Sequence, residues 1–171
     1  MRVRHRSPWA RRHVPGSVAH YVPTSGFSQQ VEEFAKQLAH LTDDQVQADD
    51  DGASPVRSTS YVVAIPDVRT GVTTTFDYRE EFKKITGGWL RMRYTYELRV
   101  SRPKSTTLHS RRAHHEHEPW GFHQHCETPS RPDRHYADVE RLLQATHQLF
   151  VQQFASGAPI DCSGLVPLTT P

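Results

Sequence analysis

Residues 89–100 read Trp89-Leu-Arg-Met-Arg-Tyr-Thr-Tyr-Glu-Leu-Arg-Val100, and their alternation sets the architecture. Leu90, Met92, Tyr94, Tyr96, Leu98 and Val100 fall on one side, with Arg91, Arg93, Thr95, Glu97 and Arg99 on the other. Successive side chains of a strand point to opposite faces, so this period of two predicts a half-buried strand with an apolar inner face and a basic outer one. The stretch that follows, Leu108-His-Ser-Arg-Arg-Ala-His-His-Glu-His-Glu-Pro-Trp-Gly-Phe-His-Gln-His-Cys126, holds His109, His114, His115, His117, His123 and His125. These are half of the chain's twelve histidines, and they follow directly on the basic strand.

Upstream, residues 60–65 form a short apolar strand ended by Pro66, and residues 72–79 place Val72, Thr74, Phe76 and Tyr78 inward. Pro66-Asp-Val-Arg-Thr-Gly71 between them suits a hairpin loop. Residues 80–88 are charged, end in Gly87-Gly88 and turn the chain into the long strand. Downstream, after a basic loop at 102–106, residues 108–117 and 122–126 supply one or two more strands. Two helices flank the sheet. Residues 27–42 bury Phe27, Val31, Phe34, Ala35, Leu38 and Leu41 on one side, with Ser25 or Ser28 placed to cap. Residues 136–155 carry Val139, Leu142, Leu143, Thr146, Leu149, Phe150 and Phe154 on one stripe, with Asp133 or Asp138 near the start. The expectation is an α+β fold: a four- or five-stranded, mostly antiparallel sheet in sequential order, a C-terminal helix packed on one face and a preceding N-terminal helix.

The chain divides accordingly into a basic, disordered arm at 1–24, a helix at 25–42, an acidic linker at 43–55, the α+β domain at 56–156 and an irregular tail at 157–171. A chain of 171 residues can bury a sizeable core without cross-links, and Cys126 and Cys162 alone do not make a disulfide framework. No apolar run is long enough to span a bilayer and the N-terminus lacks the apolar core of a secretory signal, which predicts a soluble, cytoplasmic protein without a membrane partner. The net charge of +2 conceals segregation: Arg2, Arg4, Arg6, Arg11 and Arg12 lie in the arm, Asp43, Asp44, Asp49, Asp50 and Asp51 in the linker. Solvation accounts for both runs. It accounts less well for the central arginines, which lie on one face of a strand.

If 118–122 is a hairpin loop, simple register sets His117 opposite His123 and His115 opposite His125, so four imidazoles line one face. Neighbouring imidazoles resist joint protonation, which keeps one neutral while another holds a proton. Two chemistries use such a group. In metal-independent RNA cleavage a neutral imidazole takes the 2′-hydroxyl proton, a protonated one gives a proton to the leaving oxygen, and a cation stabilises the charge on phosphorus. His115, His117, His123 and His125 are the candidate acid and base; Arg91, Arg93, Arg99, Arg111 and Arg112 are the candidate nucleic-acid contacts; Tyr94, Tyr96, Trp120 and Phe122 are candidate stacking platforms. This chemistry needs no cofactor. The alternative is zinc, with His114, His117, His123, His125 and Cys126 as the available nitrogen and sulfur donors in a metal-binding or protein-interaction module.

Arg93-Tyr-Thr-Tyr-Glu-Leu98, the paired histidines of Ala113-His-His-Glu-His-Glu118, the His-x-His of Phe122-His-Gln-His125 and the segment Tyr136-Ala-Asp-Val-Glu-Arg-Leu-Leu143 together resemble TumE-like bacterial toxins. The resemblance covers about residues 73–154, with His114, His115, His123 and His125 at matching positions. Ser110-Arg-Arg-Ala113 stands where that family carries Asp-Asn-Ala-Pro, and this chain is longer at its N-terminus. The resemblance implies the toxin half of a toxin–antitoxin pair, with a helix-turn-helix antitoxin as partner. RNA as the target is an expectation from the residues.

Overall fold

The structure, a computed structural model, describes residues 21–41, 48–51, 55–102, 106–117 and 119–169. The expected basic arm therefore lies outside the described residues up to residue 20. Strands β3 (Val56–Asp67) and β4 (Val72–Ile85) pair along their whole length, from Val56 opposite Lys83 to Asp67 opposite Val72. The expected turn joins them. The Asp67 carboxylate accepts from the Arg69 backbone N–H at 2.9 Å and from the Thr70 hydroxyl at 2.8 Å, and Gly71 takes the positive φ of 67° that closes the hairpin.

Strands β5 (Gly88–Arg102), β6 (Thr106–His117), β7 (Gly121–Thr128) and β8 (Arg131–Ala137) continue the meander, each antiparallel to the last. Strand β2 (Ala48–Asp51), in the segment expected to be a linker, adds to the outer edge of β3. The three-residue β1 (Tyr21–Pro23) pairs with residues 88–90 at the start of β5. The sheet thus has seven strands in sequential order plus β1, rather than four or five.

Helix α1 (Phe27–Ala39) buries Phe27, Val31, Phe34 and Leu38, as its period requires. Its cap differs from expectation: a 3-10 turn at Thr24–Gly26 leads in, Gly26 occupies the N-cap, and neither serine side chain caps it. Helix α2 (Leu143–Ser156) packs on the same face, and the two helices meet where the Phe34 ring lies 5.3 Å from that of His147. Phe34 also meets Tyr61 at 4.9 Å and Tyr78 at 5.3 Å edge to face, so this one ring joins both helices to the sheet.

Helix α2 begins at Leu143, whereas the apolar stripe predicts a start at 136. The reason is tertiary. The Arg141 N–H donates to the Tyr94 hydroxyl at 2.9 Å and the Arg141 carbonyl accepts from Arg91 at 3.0 Å, so backbone groups that a helix would pair are already engaged. Tyr136 is consequently a buried strand residue, while Val139 and Leu142 of the supposed stripe are exposed.

The alternation of β5 also breaks. Arg93 pairs with Glu81 but Arg91 pairs with Phe82, so Met92 is the extra residue of a bulge. Beyond it Tyr94, Tyr96 and Leu98 point inward as predicted; before it the phase inverts, Trp89 and Arg91 are buried and Met92 is 41% exposed. The segment after α2 packs rather than trails: Ile160 and Cys162 are buried, Cys162 is disulfide-bonded to Cys126, and at the outer edge of β8 the Ala137 N–H donates to the Val166 carbonyl while the Leu168 N–H donates to the His135 carbonyl. No helix among the described residues is long and apolar enough to cross a membrane.

Candidate metal centre

Strand pairing decides which histidines meet. A register irregularity between His114 and His117 moves the β6–β7 pairing away from the simple hairpin: His114 lies opposite His123, Arg112 opposite His125, and His117 opposite Gly121. The expected pairs His117 with His123 and His115 with His125 are therefore not formed. Strand β8 then sets His135 opposite His125. The group that results, on the sheet face away from the helices, is His114, His123, His125 and His135.

The rings are close. His125 and His135 have centroids 4.3 Å apart, His123 lies 5.2 Å from His125 and 5.3 Å from His135, and His114 stacks on His123 at 5.2 Å with 8° between planes. One nitrogen each from His123, His125 and His135 falls within 4.8 Å of the other two. Zinc–nitrogen bonds of about 2.0–2.1 Å at tetrahedral angles require roughly 3.3 Å between donors, so small ring rotations would close the set on an ion. His123 is fully buried, and its Nδ1–H donates to the Gly121 carbonyl at 3.0 Å. That bond fixes the tautomer with the lone pair on Nε2, the arrangement by which backbone carbonyls orient ligating imidazoles. Trp120 stacks on His135 at 4.5 Å and holds the third ring. His114 has its pKa lowered to about 3 by burial first and then by His125, Arg112, His123 and His115, so it is a neutral imidazole beside the other three.

The remaining sequence-derived residues separate. His115 sits apart from the group, with its ring Nδ1 3.1 Å from the Tyr94 carbonyl. The His117 side chain lies outside the described part of the chain. Cys126 is not available as a ligand: it is fully buried on the helix-facing side of β7 and bonded to Cys162, because one step along a strand reverses the face. The five arginines divide between faces. Arg93, Arg99 and Arg112 share the histidine face by register, whereas Arg91 and Arg111 point toward the helices.

Arg91 in particular is no surface cation. Its Nη1 donates to Glu80 at 3.2 Å and to the Tyr96 hydroxyl at 2.7 Å, and its Nη2 to Glu140 at 2.6 Å. Tyr96 in turn donates to Glu80 at 2.5 Å. The candidate stacking platforms Tyr94 and Tyr96 are core residues, and Phe122 packs against the core. His135 escapes the sequence reading because residues 131–137 look like a polar loop; the Asp133-x-His135-x-Ala137 spacing is the one trace of the strand that carries it. Comparisons with protein-family models, curated proteins and solved structures give no match to this chain.

Proposed function

We propose that this chain is a metal-binding protein that holds one divalent transition ion, zinc foremost, through His123, His125 and His135 on the outer face of its sheet. The observation that carries this reading is the convergence of three ring nitrogens within 4.8 Å from two adjacent strands, one of them with its tautomer set by Gly121. Imidazole suits zinc, copper, iron and nickel, and three histidines with an open fourth position is a ligand set that leaves room for water or a substrate oxygen.

The test uses untagged protein. Elemental analysis and titration calorimetry are expected to give one zinc per chain, lost in the His125→Ala, His135→Ala double variant and kept in His115→Ala. A wild-type chain that takes up no zinc, or a double variant that binds it as well as wild type, overturns the reading.

The toxin-type ribonuclease is the second reading, favoured by Arg112, which pairs with His125 and acts electrostatically on His114. It places a phosphate-binding cation beside neutral imidazole, with a helix-turn-helix antitoxin as partner. It predicts RNA cleavage that survives chelator and is lost in His125→Ala; absence of cleavage, or cleavage that chelator abolishes, removes it.

A further inference from the structure

A second site lies on the opposite face of the same strands. A cavity of about 320 Å³ opens between the sheet and α2, walled by Leu98, Ala113, Phe150 and Ile160 on its apolar sides. Arg111, Gln124 and Arg141 supply its polar end. Within it Arg111 donates from Nε to Gln124 at 2.8 Å, its one hydrogen bond among the described residues. Arg141 pairs with Asp138, which it meets at 3.0 Å through Nε and at 2.6 Å through Nη2. Asp138 is thereby committed, and the polar end keeps one positive charge in excess. Burial first, and then Arg141, lower the pKa of Arg111, and Asp138, shared with Arg141, offsets only part of this. An unpartnered polar atom sits on the same wall: Thr146 Oγ1 is buried and makes no hydrogen bond among the described residues.

The geometry points to this cavity as a binding site for a small apolar monocarboxylate, its head on the Arg111 guanidinium and its tail against Leu98, Phe150 and Ile160. A guanidinium presents paired N–H groups that match a carboxylate, and with Nε given to Gln124 the Nη groups of this lining residue remain to serve as the docking fork. The volume is at the small end of ligand pockets, which sets the class at short fatty acids and simple aromatic acids rather than long-chain lipids. The cavity shares no lining residue with the histidine group.

Octanoate and octan-1-ol are the probes, titrated into the full chain by calorimetry with chelator present, so that carboxylate capture by a metal on the other face does not register. Saturable one-to-one binding of octanoate is expected, at least tenfold tighter than the alcohol. Arg111→Gln is expected to remove that preference. Ser156→Trp, an exposed position on the cavity wall, is expected to block binding in a chain that still unfolds in one cooperative thermal transition. Equal affinity for acid and alcohol, no saturable octanoate binding, or full binding in a folded Ser156→Trp variant overturns the proposal.

Discussion

Arg91 carries a full charge with only 7% of its surface exposed, and two carboxylates and a tyrosine hold it there. Breaking a buried ion pair from one side strands the other charge, which costs about 3–5 kcal/mol. Arg91→Met is therefore expected to destabilise the fold by about that amount in urea denaturation, and adding Glu80→Gln is expected to recover part of the loss because Glu80 then no longer needs a cation. His147 makes the complementary prediction about pH. Burial lowers its pKa, and the Tyr78 hydroxyl, kept protonated by its own burial, donates to His147 Nδ1 at 2.9 Å. Above a pH of about 6.5 folded and unfolded chains both carry this ring neutral, and it adds nothing to the pH dependence. As pH falls below that value the unfolded chain takes the proton and the folded one resists, so stability drops. Thermal melts of metal-free protein from pH 7 to 5 should show the drop, with a shallower slope in His147→Phe. Neither residue was legible from pattern alone: Arg91 reads as outward by alternation, and His147 as a polar gap in the α2 stripe. Their burial follows from a bulge and from a tyrosine on another strand.

At the level of elements, the disulfide joins β7 to the segment after α2 across 36 residues. Closing a loop of that length restricts the unfolded chain by about 4 kcal/mol in the chain-entropy account. Cys162→Ser is expected to lower stability by about that much, and reductant to do the same to wild type and nothing further to the variant. The elements that the sequence made plain are those whose own period is strict and uninterrupted. Helix α1 buries Phe27, Val31, Phe34 and Leu38 as its spacing demands, and β4 turns Phe76 and Tyr78 inward on a period of two. Strand β8 stayed hidden because Arg131-Pro-Asp-Arg-His is polar and contains proline, which strands accept chiefly at edges. The hidden strand kept His135 out of the candidate cluster. Without β8 there is no partner for His125 but β6, and the candidate cluster fills with His115 and His117 instead.

Seen whole, the molecule is one sheet with unlike faces. Helices, aromatic core, disulfide and cavity lie on one, while imidazoles and Arg93, Arg99 and Arg112 lie on the other. β7 contributes to both, His123 and His125 to one side and Gln124 and Cys126 to the other, which is why all four are buried. An ion shared by β7 and β8 would tie two of the last strands together. Zinc at about a hundred times its dissociation constant should accordingly stabilise the fold by about 2.7 kcal/mol, visible as a rise in melting temperature that His135→Ala removes. The extra residue at Met92 has a consequence of a different kind. It works as a comma between two reading frames: after it even-numbered side chains of β5 enter the core, before it odd-numbered ones do. Replacing Met92 leaves both frames intact, and deleting it would make Arg91 and Arg93 neighbours opposite Phe82 and Glu81, one regular alternation in which Trp89 and Arg91 still turn inward. Met92 is thus the spare residue of the strand: neither its side chain nor its place in the count decides which residues of β5 the core receives.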